Sequence, residues 1–213
     1  MGHLRKLRPV SWLRVEVDDA FWNQRIETNR TVTLPLEYEL NRKNGVLEPY
    51  RWDWWNLALA KPPWRSWVGD LGKWIEAASY SLAKHPDVKV AAELEDAVGR
   101  IVQGQKSDGY IYPNPLPRAW RWANLPGWHE FYEVGHDIEG AVAHFQATGQ
   151  RHFLDAVCRC ADLLEANFGT APGKKRSYDG LKTAGGTPAL HRVPASDVGI
   201  MSDFQVRYCR SLA

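Results

Sequence analysis

No apolar run in the 213-residue chain approaches the roughly 20 residues that a membrane-spanning helix needs. The basic start, Met1-Gly2-His3-Leu4-Arg5-Lys6-Leu7-Arg8, is not followed by the apolar core of a secretory leader. Three cysteines, an odd number, do not make a disulfide framework. Charge of one sign is also lacking. The net is +2, which implies neither a nucleic acid nor an anionic surface as partner. The expectation is a cytoplasmic protein with no membrane and no nucleic-acid partner. The small net charge hides an asymmetry. From Lys174 onward seven Lys and Arg face three Asp, a net of +4, which leaves −2 on residues 1–173.

What is present suits one globular unit. Hydrophobic residues make up 44% of the chain, enough for one sizeable core. Tryptophan is over-used, with 11 Trp against 6 Phe. Its broad apolar face stacks on the C–H face of a sugar ring, although core packing is the commoner use of any one Trp.

The periodicity is helical. Trp12, Leu13, Val15 and Val17 suggest a short strand or an arm lying on the domain. Asp18 and Asp19 are N-cap candidates for a helix starting near Ala20. Phe21, Trp22, Ile26, Val32, Leu36 and Leu40 then recur at helical spacing, with Pro35 predicting a kink or break before Asn44-Gly45 ends the run. After a Trp-rich irregular stretch, residues 46–66, a second helix carries Trp67, Leu71, Trp74, Ile75, Ala78 and Leu82 on one stripe. A third runs from Val90 to Val102 and stops at Gly104, a fourth covers about 129–147 and a fifth about 151–167. Short turns at His85–Asp87 and Thr148–Gln150 alternate with long connections, one of them residues 105–128. Loops that long are uncommon unless functional. Paired helices in this rhythm point to αα-hairpins of a solenoid or toroid. A third hairpin is due after Asp179-Gly180 and does not arrive. The tail 181–213 is expected to be anomalous, through a frameshift or through disorder.

Residues 18–34, Asp-Asp-Ala-Phe-Trp-Asn-Gln-Arg-Ile-Glu-Thr-Asn-Arg-Thr-Val-Thr-Leu, resemble the opening of glycoside hydrolase family 127, the β-L-arabinofuranosidases. Four further segments agree in order and spacing: Gly69–Ala78, Gln105–Tyr110, His129–His136 and Ala166–Gly169. The resemblance implies an all-α fold, here an incomplete (α/α)6 barrel over residues 1–180. It implies a carbohydrate substrate, plant-derived arabinosides. It also implies a retaining mechanism in which a cysteine nucleophile belongs to a zinc site of cysteines and a glutamate, with a second glutamate as acid/base. No position of this chain matches those groups, so the catalytic residues are unknown here. No cofactor and no metal site is expected in this chain, zinc belonging to the full-length family. Two alternatives remain open at this point: another α/α enzyme such as an unsaturated glycuronyl hydrolase, and a non-catalytic helical binding module.

The candidate substrate-binding residues are His129, His136, Asp70, Asp108 and Tyr110. By resemblance His129 is a sugar-contacting histidine, and a neutral imidazole both donates to and accepts from vicinal hydroxyls. His136 lies two turns on, about 10 Å by helical rise, too far to share one ion with His129. Asp70 can pair locally with Lys73. Asp108-Gly109-Tyr110 has turn chemistry of its own, Asp bonding its downstream backbone and Gly taking positive φ. Cys158 and Cys160 point to different sides of a helix, and Cys158 reads as a small buried apolar residue. Five helices do not close a ring of inner helices. Self-association is therefore expected through an open barrel side carrying stripes such as Trp74-Ile75-Ala78.

Overall fold

A computed structural model describes residues 10–51, 68–113, 118–123 and 125–175. The Trp-rich segment 52–67 and the tail 181–213 lie outside the described residues. Ala20–Thr28 forms α1 and Leu34–Lys43 forms α2; then come α3 (Val68–Lys84), α4 (Val88–Gly104), the single turn α5 (Leu125–Trp128), α6 (Glu130–Thr148) and α7 (His152–Asn167). Among the described residues there is no strand, only an isolated bridge between Phe168 and Lys175. The architecture is an incomplete helical barrel made of the α3–α4 and α6–α7 hairpins and a leading helical arm.

Local chemistry accounts for the boundaries. Asp19 accepts from the backbone N–H groups of Phe21 and Trp22, and Asp87 does the same for Lys89 and Val90. Each such cap contributes about 0.5–2 kcal/mol. Gly149 ends α6 in the left-handed region, φ 75°, its N–H bonded to the Phe145 carbonyl. Pro35 does not break the first helix. Asn29–Thr33 forms a π turn in which Leu34 N–H reaches back five residues to Asn29. The wider turn moves aside the carbonyl that the Pro35 ring would strike.

The helices α3 and α6 pack most closely. A side chain at Gly72 would meet the His136 carbonyl carbon at 2.8 Å and Asp137 N at 2.9 Å, so only glycine lets these two backbones approach. The core around them joins Leu34, Leu71, Ile75, Leu94, Val98, Ile101, Ile111, Phe153 and Leu154. Burying each such side chain is worth about 1.5–3 kcal/mol. Trp74 donates from Nε1 to the Leu34 carbonyl at 2.9 Å, tying α3 to α2. The N-terminal arm lies on the domain as a 3₁₀ turn rather than a strand: Trp12 donates to Gln146 at 2.7 Å and stands edge-on to Tyr80.

Two apolar stripes differ from expectation. Trp74, Ile75 and Ala78 are buried, so they are not the open side. The exposed stripe is instead Phe21, Trp22, Ile26, Val32, Leu36 and Leu40 along the leading arm. Among its described residues the long connection holds a 3₁₀ turn at Arg118–Trp120 and the α5 turn.

Candidate functional site

His129 caps α6 in a conformation unusual for a residue with a Cβ, φ 57° and ψ 22°. Backbone bonds hold it there: its N–H donates to the Leu125 carbonyl at 3.0 Å and its carbonyl accepts from Glu133 N at 2.9 Å. Non-glycine residues in this region cost energy and cluster at functional sites. The residue is exposed. Tyr132 stands beside it, ring centroids 6.2 Å apart, and lies 4.5 Å from the ring of His136 on its other side. The Lys73 ammonium lies 5.0 Å from the Tyr132 ring centroid and 3.2 Å from Asp70. Three predicted residues, His129, His136 and Asp70, therefore share one polar and aromatic strip across α3 and α6. Tyr132 is its exposed centre, which sequence reasoning had not singled out. His136 Nδ1 is engaged by Glu139 at 3.1 Å.

Asp108 and Tyr110 are not on that strip. Asp108 pairs with Arg121 at 2.6 Å and Arg118 at 3.4 Å, and accepts from Tyr110 N at 3.3 Å. Burial raises its pKa, but the Arg121 hydrogen bond, the Tyr110 N–H and the two guanidinium charges outweigh that and hold it below the usual value. Tyr110 is buried and donates to Glu130 Oε1 at 2.6 Å, and Glu130 also accepts from Trp122 N at 3.0 Å. Nearby, Gln105 donates to the carbonyls of Gly109 and Ala156, tying the loop to α7. These groups spend their polar atoms on the protein. They fix the loop against the start of α6, where His129 sits.

A second group of acids was missed by sequence reasoning. Glu133 and Asp137 are each 1% exposed on the face of α6 that meets α3. Both Glu133 carboxylate oxygens, Asp137 Oδ1 and the Tyr50 hydroxyl have no hydrogen-bond partner among the described residues. Burial first, then the charges of Asp137 and Asp70, push Glu133 up to about 8, with Lys73 opposing. Burial raises Asp137 well above the usual carboxylate range. The legible signal was spacing: Glu130, Glu133 and Asp137 fall on the stripe of Val134, Ile138 and Ala141, where burial is expected.

The profile of the β-L-arabinofuranosidase GH127 catalytic domain matches residues 14–186. The chain belongs to the GH127 family. This favours the arabinofuranosidase type over the glycuronyl hydrolase alternative. The chain is 40% identical, over 117 residues, to a non-reducing end β-L-arabinofuranosidase of Bifidobacterium longum subsp. longum, an overlap of 52% of this chain and 18% of the relative. It superposes on a GH127 β-L-arabinofuranosidase from Geobacillus stearothermophilus T6 with TM-score 0.70 and 30% identity, over 78% of this chain and 27% of that one. A second GH127 β-arabinofuranosidase gives TM-score 0.71 and 30% identity, over 94% and 33%. The chain thus spans a third or less of each of these GH127 relatives.

The cysteine-and-glutamate zinc set that the GH127 resemblance implied does not fit the described cysteines. Cys160 is 1% exposed inside the core, and among the described residues no histidine, carboxylate or second thiol gathers with either cysteine to share an ion. Cys158, partly buried, packs at the edge of the core two residues away. The fully buried cysteine is therefore Cys160, not Cys158 as sequence suggested.

Proposed function

We propose that this chain is the His129-bearing portion of a β-L-arabinofuranosidase acting on plant-derived arabinosides, and that it binds the sugar without cleaving it alone. The observation that carries this reading is the left-handed backbone of His129, which holds an exposed imidazole beside Tyr132, whose ring Lys73 links to Asp70. In this reading His129 exchanges hydrogen bonds with vicinal hydroxyls, Tyr132 offers an aromatic face, and Asp70 accepts from a further hydroxyl. His136 orients Tyr132, and Asp108 and Tyr110 act by shaping the loop next to His129. The nucleophile, the acid/base and the zinc of the reaction belong, in this proposal, to sequence beyond the matched residues. We place the protein in the cytoplasm. Among the described residues no helix is long and apolar enough to cross a membrane. Self-association is assigned to the apolar stripe exposed along the leading arm.

The test pairs two measurements. The 213-residue chain is incubated with an aryl β-L-arabinofuranoside, and no arabinose release is expected; turnover at a hundredth of a full-length relative would place the chemistry inside the chain. A chimera with this chain in the matching part of a GH127 enzyme is then assayed with His129→Ala. Loss of about 2–4 kcal/mol in transition-state terms is expected, as for removal of one pocket donor, with little change in Tm. Unchanged kcat/KM with a lowered Tm would make His129 structural.

A further inference from the structure

Away from the His129 strip, three helices bring metal-ligating side chains to one point. Glu95 comes from α4, His144 from the last turns of α6, and His152 from the first position of α7. One donor atom from each lies within 4.8 Å of the other two. His144 Nε2 is 2.9 Å from Glu95 Oε1, and His152 Nε2 is 3.5 Å from Glu95 Oε2. The two imidazole rings stand edge to face, centroids 5.3 Å apart.

These spacings are close to what a small divalent ion asks for. Zinc bound at about 2.0–2.2 Å in a tetrahedron sets neighbouring donors about 3.3–3.6 Å apart. The two imidazoles each approach a different oxygen of the Glu95 carboxylate, and small side-chain rotations would bring the three donors, now within 4.8 Å of one another, onto one ion. We propose that Glu95, His144 and His152 form a binding site for a late first-row divalent ion, zinc in the first place, with water as the fourth ligand. Two imidazoles and one carboxylate, without thiolate, suit zinc, nickel or copper better than magnesium or calcium, which take oxygen donors.

Burial gives the site an inside and an outside. The His144 side chain is 0% exposed, while those of His152 and Glu95 are 39% and 41% exposed. An ion therefore enters from the His152 side and keeps an open position there. His144 Nδ1 is buried and has no partner among the described residues, so Nε2, facing Glu95, is the polar contact of the ring. Packing on every side fixes the buried ring, so Nε2 is presented towards Glu95 in one orientation. The ion joins α4 to both helices of the second hairpin, so its binding stabilises the folded chain by linkage.

Equilibrium dialysis of the full chain against zinc, with thermal melts at each concentration, tests this. One zinc per chain and a rise in Tm are expected. His152→Ala and Glu95→Gln, both at partly exposed positions, should weaken binding at least about tenfold and abolish the rise. His85→Ala, an exposed histidine on another turn, should leave both unchanged. Cobalt(II) should give d–d absorption without a thiolate charge-transfer band. The proposal is overturned if the wild type binds no zinc, if His85→Ala and His152→Ala weaken binding equally, or if cobalt shows thiolate ligation. It does not depend on the arabinoside reading.

Discussion

The Tyr110 hydroxyl donates to Glu130 at 2.6 Å, joining a loop and a helix start twenty residues apart, with both side chains buried. Glu130 keeps a second donor in Trp122 N, so Tyr110→Phe leaves it partly satisfied. The variant should lose about 1–3 kcal/mol, the range for a buried polar group deprived of one partner. Chemical denaturation measures it, and an unchanged midpoint would show that the network does not hold the loop.

Gly72 faces the α6 backbone with no room for a methyl group. Gly72→Ala raises helix propensity yet should destabilise by about 1–3 kcal/mol, because rigid backbone, rather than a flexible side chain, must move. Gly99→Ala is the control. Its nearest contact would be the Gln103 amide at 3.9 Å, so propensity should dominate there and stability should rise. Melting curves of the two variants should move in opposite directions.

Glu133 makes stability depend on pH in a defined sense. Its pKa rises on folding from 4.5 to about 8. Below 4.5 both states hold the proton and the group is neutral in its effect. Between 4.5 and 8 the unfolded chain releases the proton while the folded one retains it, so stability falls as pH rises through this window and levels off above it. Asp137, also raised by burial, acts in the same direction. Tm measured from pH 5 to pH 8 should fall in the wild type and fall less in Glu133→Gln. Identical slopes would mean that Glu133 is not buried in solution.

The exposed stripe of the leading arm predicts association. Trp22 is 55% exposed and Leu36 54%. Sedimentation should show concentration-dependent oligomers for the wild type and a shift towards monomer for Trp22→Glu combined with Leu36→Glu. Neither residue is buried, so the double variant should melt near the wild-type temperature. An unshifted oligomer distribution would place the contact elsewhere.

Helix positions were legible in the sequence because their causes are local. Asp19 and Asp87 cap the residues next to them, Gly149 takes a turn angle that needs no neighbour, and apolar spacing marks one face of each helix. Membership in GH127 was legible for a related reason, since five short motifs kept their order along the chain. Which face meets what was not local. The Phe21–Leu40 stripe has the same periodicity as Leu71–Leu82, yet one is exposed and the other buried, because burial depends on whether another helix arrives. That Asp108 pairs with Arg121 and Tyr110 with Glu130 was not legible either, because those partners come from elsewhere in the chain. Glu133 and Asp137 looked like ordinary helix acids. The glycine contact between α3 and α6 decides otherwise, burying both and leaving the Glu133 carboxylate and Asp137 Oδ1 without a hydrogen-bond partner among the described residues. The Glu95–His144–His152 cluster follows the same rule. Its members lie 49 and 57 residues from Glu95 in the chain, and only the packing of three helices makes them neighbours.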